Sequence, residues 1–178
     1  MSSIVVAGDT SGSVTLQAPA VSGSTVLTLP AVSGTVMVNG PAFSAYLSAN
    51  QTLSNNAFTK IACNTEEFDT NNNYDNATNY RFTPTVAGYY NITGGARVSA
   101  TALTDFVLVI YKNGSEYKRG SGWLMTASTV QLTCANLVYL NGSTDYVEIY
   151  VYTSATSSNS ALGGSQYTYF QAAMIRSA

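Results

Sequence analysis

The chain has no histidine, so the commonest general base and the commonest transition-metal ligand are both missing. Its two cysteines, Cys63 and Cys134, form no Cys-x-x-Cys pair of the kind that holds zinc. They lie in apolar stretches, KIACN and QLTCANL, and read as small buried hydrophobes rather than as a disulfide. No glycine-rich loop opens a helix, so a phosphate cradle is not encoded. Carboxylates gather once, at Glu66, Glu67, Asp69 and Asp75. A glycosidase needs two such groups with divergent pKa values, whereas these fall along an edge and a turn and read as solubilising surface.

A calcium loop is the better rival. Asp69, Asn71, Asn73 and Asp75 place oxygen side chains at alternate positions, as the first half of an EF-hand does. Tyr74 stands where that loop needs glycine and Tyr80 where it needs a bidentate glutamate, so the EF-hand fails. The four residues are kept as an irregular metal candidate against the simpler reading of an Asx-rich turn.

These groups must sit on something, and composition says what. Only 9% of the 178 residues are charged, against roughly 25% in an ordinary soluble domain. Asn, Ser, Thr and the 13 tyrosines therefore carry the surface, which suits permanent assembly and, through tyrosine faces, sugar recognition. Tyr117, Trp123 and the segment 154–165 are the places considered for such a patch. A net charge of −2 with scattered basic residues excludes a nucleic-acid footprint. No run approaches the length of a membrane span, and the start MSSIVVAGDT lacks the charged and apolar regions of a signal peptide. Assembly in a cytoplasm follows as an expectation. Sequons at Asn50, Asn76, Asn91, Asn113 and Asn141 are read as chance products of an Asn/Ser/Thr-rich chain.

Two regions are expected. Residues 1–40 hold a single charged residue, Asp9, and a short repeat, Pro19-Ala-Val-Ser-Gly23 and Pro30-Ala-Val-Ser-Gly34. They read as extended pieces broken by Pro and Gly and needing a surface to lie on. Val14, Leu16, Val26 and Leu29, with Pro19 and Pro30, are the candidate attachment residues. Residues 41–178 alternate as strands near 43–49, 57–68, 78–83, 88–99, 104–112, 116–121, 129–140, 144–153 and 166–176, an all-β sandwich. Asn113-Gly114 and Asn141-Gly142 read as tight hairpin turns. In residues 145–152, Val147, Ile149 and Val151 should face the core, leaving Tyr146, Glu148, Tyr150 and Tyr152 on the face of a candidate subunit interface.

The run from Asn64 to Tyr90, NTEEFDTNNNYDNATNYRFTPTVAGYY, resembles the core of the C1q/TNF-like jelly roll. Phe68, the Asn71–Asp75 turn, Tyr74, Phe82 with Pro84, and Gly88-Tyr-Tyr-Asn-Ile92 follow in that family's order. The last strand, residues 167–176, resembles its closing strand, where a tyrosine often stands at the threefold axis. The resemblance covers about residues 42–177. It implies a non-enzymatic homotrimer without cofactor, Tyr169 at the axis, Tyr167 nearby and Phe170 in the core. The wording of residues 10–38 resembles N-terminal segments of bacteriophage tail-fibre and other structural proteins. Together the two resemblances imply a virion-surface decoration or head-fibre protein, docked on a capsid or tail protein through its N-terminal arm. The alternatives are a tail-fibre tip that meets a host-surface glycan and a secreted carbohydrate-binding adhesin.

Overall fold

The computed structural model describes residues 3–7, 10–17, 24, 40–123 and 127–178. The chain divides into two compact units, Met1–Thr35 and Val36–Ala178. In the first, β1 (Ser3–Ala7) and β2 (Ser13–Gln17) pair antiparallel, Ile4 opposite Leu16 and Val6 opposite Val14. Pro19, Val26, Leu29 and Pro30 lie outside the described residues.

Every regular element described in the second unit is a strand: β3 (Ala42–Tyr46), β4 (Gln51–Thr52), β5 (Ala57–Lys60), β6 (Thr65–Asp69), β7 (Tyr74–Asp75), β8 (Arg81–Phe82), β9 (Ala87–Lys112), β10 (Ser115–Trp123), β11 (Ala127–Asn141), β12 (Val147–Ala161) and β13 (Tyr169–Ser177). The 26-residue β9 organises them. Its first half pairs with β11 and β13, and β13 continues to β3 and β6. Its second half pairs with β10 and β12, and β12 also takes β4, β5 and β8. One strand thus runs through two layers, the order β6-β3-β13-β9-β11 in one and strands gathered on β12 and β9 in the other. Between them lies the core: Phe43, Phe82, Tyr90, Phe106, Phe170, Ile92, Leu108, Ile110 and Ile149 are essentially inaccessible. Phe43 stacks on Tyr74 at 4.4 Å and on Phe82 at 4.7 Å, with Phe170 edge-on at 5.1 Å. Burying each such ring contributes about 2–3 kcal/mol, and each aromatic pair about 1 kcal/mol more. Val147, Ile149 and Val151 face this core as expected, and Cys63 and Cys134 are buried and unbonded.

Several expected boundaries move. Residues 88–99 and 104–112 are one strand, because Ser99–Thr104 holds no Gly, Pro, Asn or Asp and the irregularity is absorbed by Ala102 at φ 49°. Residues 57–68 are two strands, since the chain leaves β12 and crosses to β3 between Lys60 and Thr65. Only Arg81–Phe82 of 78–83 is strand, the preceding residues being held in a turn by Asp75. Strand β12 runs on to Ala161, so most of the expected loop 154–165 is sheet; the Asn55 side chain bonds both backbone groups of Ala155 and helps hold it there. Asn113-Gly114, at φ 53° and 76°, makes the expected hairpin. Asn141-Gly142 does not: β11 and β12 both pair with β9, and the turn carries the chain from one layer to the other. Asn141 Oδ1 accepts the N–H groups of Ser143, Thr144 and Asp145 there.

Candidate functional site

The metal candidates fold into a self-satisfied turn. Asp69 accepts the N–H of Asn71 at 3.2 Å and of Tyr74 at 2.7 Å. Asp75 accepts from Thr78, Ala77 and the backbone and side chain of Asn79. The N–H groups of Thr78 and Ala77, followed by Asn79, hold its carboxyl well below the usual range, at about 2. Asn73 Oδ1 takes the N–H of Thr85, and Asn71 Oδ1 the hydroxyl of Thr70. Among the described residues no three His, Cys, Asp or Glu side chains converge as metal ligands. Glu67 accepts the hydroxyl of Ser44 at 2.6 Å. Glu66 departs from expectation, since partial burial and then the charge of Asp69 push its pKa up; no cleft accompanies the shift among the described residues.

The feature with a use outside the chain is the outward face of the first layer. Alternation sends Phe43, Tyr90, Ile92, Val138, Leu140, Phe170 and Ala172 inward, so their neighbours must point out. On β11 and β9 those neighbours are Leu137, Tyr139 and Tyr89, and on β6 Phe68; Ile175 bulges from β13 where its pairing with β9 shifts. All five are large and apolar, and they expose 41–57% of their surface. Tyr89 and Tyr139 lie 5.5 Å apart. Beside them Tyr89, Leu137 and Ile175, with residues 176–178, line an open groove of about 520 Å³. Ala173, Gln171, Asn91, Thr93 and Ala135 carry the face onward without charge. Arg97, its guanidinium 4.7 Å from the Tyr167 ring, closes the far end. Tyr169 lies over Gly95, where a Cβ would stand 2.5 Å from its ring.

The tyrosines expected at one interface are therefore divided. Tyr169, with Tyr167 against Arg97, belongs to the first layer. Tyr150 and Tyr152 stand on β12 in the second layer, and Tyr146 just before it. That outer face is charged and saturated from within. Tyr150 stacks on Tyr111 at 4.0 Å, Tyr152 packs against Phe58 at 5.4 Å, and Arg81 covers Tyr146 at 4.3 Å. Glu148, 3% exposed rather than open as expected, pairs with Lys60. Burial lowers the Lys60 pKa, but the hydrogen bond and charge of Glu148 outweigh it and leave the ammonium raised. Tyr117 is exposed on β10. Alternation gave a signal for the face that the sequence reading missed: in Leu137-Val138-Tyr139-Leu140 both parities are apolar, so one face must be covered by something other than the chain's own core.

No family model and no curated relative matches the chain. Solved structures do. The globular domain of zebrafish complement 1qA protein superposes with a TM-score of 0.58 at 15% identity, over 78% of this chain and 99% of that one. Murine APRIL gives 0.58 at 8% identity, over 77% and 100%. The Eiger TNF of S. frugiperda gives 0.54 at 9%, over 78% and 95%. The fold is a C1q/TNF-like jelly roll.

Proposed function

We propose that the chain is a non-enzymatic structural protein of a bacteriophage virion. In this reading it is a homotrimeric jelly roll displayed on a capsid or tail, with its N-terminal region as the attachment arm. The observation that carries the trimer is the exposed apolar face of the first layer. Tyr89, Leu137, Tyr139 and Ile175 gather at one end of this face and Phe68 is exposed farther along it, an apolar exposure of the kind monomers avoid; Arg176 lines the groove and Lys112 stands 5.9 Å from the Tyr139 ring. The second layer has satisfied its own charges and turns outward. The neighbouring C1q and TNF structures support the same choice of assembly. The virion setting rests on the wording of residues 10–38.

Deletion of residues 1–38 tests the division of labour. The remaining jelly roll should stay folded and trimeric in sedimentation and fail to join particles. Incorporation at normal occupancy would mean that the jelly roll itself makes the docking contact.

A further inference from the structure

The first layer of the jelly roll leaves apolar surface open in two separate places. Tyr89, Leu137 and Ile175 line the groove of about 520 Å³, while Phe68 stands apart on the edge strand β6, 52% exposed. Register measures the gap between them. Phe68 is opposite Ser44 and Ser44 opposite Gln171, and Ile175, the nearest wall of the groove, lies four residues further along β13. Two strand spacings across and four residues along put roughly 16 Å between them. Phe68 therefore cannot fill the groove of its own copy. Charge divides along the same line. Strand β6 holds Glu66, Glu67 and Asp69 and no cation, β3 holds no charge, and β13 holds only Arg176, which lines the groove.

We propose that Phe68 of one copy seats in the groove of the next, so that three identical contacts close a ring. The inference rests on the trimer reading and adds which residues meet. A ring joins unlike patches head to tail, whereas a two-fold pair sets each patch against itself. The two patches here are unlike in shape, one a projecting ring and the other a hollow. They are also opposite in charge. Glu67 and Asp69 flank the phenylalanine, and Arg176 lines the hollow without an ion-pair partner among the described residues. Set against itself, β6 would bring carboxylates together, and like charges facing each other suppress a contact. Set against the groove, its acids meet the guanidinium and its aromatic ring meets Tyr89, Leu137 and Ile175. The same contact covers both apolar exposures that the layer cannot cover alone, and it makes Phe68 and its acidic neighbours the residues that decide which surface a subunit accepts.

Paired cysteines in the full chain test the contact. Phe68→Cys and Leu137→Cys put one thiol on each side of it, and native Cys63 and Cys134 are buried and unbonded. With a short bismaleimide, F68C/L137C should give covalent dimers and trimers on a denaturing gel at least tenfold faster than either single variant, in line with the concentration that a shared interface imposes. Charge gives a second readout. E67R and R176E should each raise the midpoint concentration of dissociation about tenfold in sedimentation, and the double variant should restore it. Linking no faster than in the single variants, from an F68C/L137C chain that sediments as a trimer, would overturn the contact and leave the trimer standing. Simple addition of the two charge effects would do the same. A wild-type chain that sediments as a monomer would overturn both.

Discussion

Leu137→Asp should dissolve the trimer without unfolding the protomer. Leu137 lies in the middle of β11 on the outward face and is 57% exposed. Full burial of a leucine is worth about 1.5–3 kcal/mol, so covering the exposed half contributes about 1 kcal/mol per copy. The aspartate loses that and adds the desolvation of an unpaired carboxylate, several kcal/mol per buried ion, here taken as about 3. The sum is about 4 kcal/mol per copy and about 12 per trimer, or roughly nine decades in the trimer dissociation constant. The midpoint concentration varies as the square root of that constant, so it rises by more than four decades, enough to carry a nanomolar midpoint above ten micromolar. Sedimentation velocity at micromolar concentration should show wild type as a trimer and L137D as a monomer, with unchanged far-ultraviolet circular dichroism. Tyr117→Asp, on exposed β10 of the other layer, should remain trimeric. A trimeric L137D would refute the choice of face, and dissociation of both variants would show that any added charge suffices.

Gly88→Ala should lower stability by about 3 kcal/mol or more in thermal or urea unfolding, because its Cβ would stand 2.4 Å from the carbonyl oxygen of Arg176 and backbone must move; a loss under 1 kcal/mol would contradict the register of β9 with β13. Asp75 has a depressed folded pKa, so its stabilisation is complete above the unfolded carboxylate range and fades as pH falls from about 4 towards 2. With discount for solvent exposure it amounts to ~1 kcal/mol, and Asp75→Ala should remove that part of the acid dependence of urea unfolding. Melting should be the same with chelator or reductant as without, since a site filled at 100 times its dissociation constant would add about 2.7 kcal/mol. A drop with chelator would revive calcium at Asp69–Asp75, and a drop with reductant would mean a bond between Cys63 and Cys134.

Residues 64–90 disclosed the fold because three of the motif's aromatics are core: Tyr74, Phe82 and Tyr90 are buried, while Phe68 and Tyr89 face out, and Tyr74 donates its hydroxyl to the Cys63 carbonyl. The parity of Val147, Ile149 and Val151 was readable for the same reason. The interaction face was harder. Tyr146, Tyr150 and Tyr152 have the exposed parity of an interface, but a sequence does not state which layer a strand joins, and theirs packs its tyrosines on Phe58, Tyr111 and Arg81. Phe68, Tyr89, Leu137, Tyr139 and Ile175 come from four strands distant in sequence, and only the pairing with β9 and β3 puts them on one face. The Ser/Asn-rich residues 154–161 read as loop because their pairing is fixed from outside, by β9 and by the side chain of Asn55.

Strand β13 lies between β3 and β9, inside the first layer rather than at its edge. During synthesis the layer therefore has a vacant lane until residues 169–177 leave the ribosome, and the outward patch has no continuous backing before then. Folding of this layer is necessarily post-translational with respect to those residues. A chain interrupted upstream of β13 would lack Ile175 and the strand that joins β3 and β6 to β9, so in the trimer reading such products should assemble less readily than complete chains.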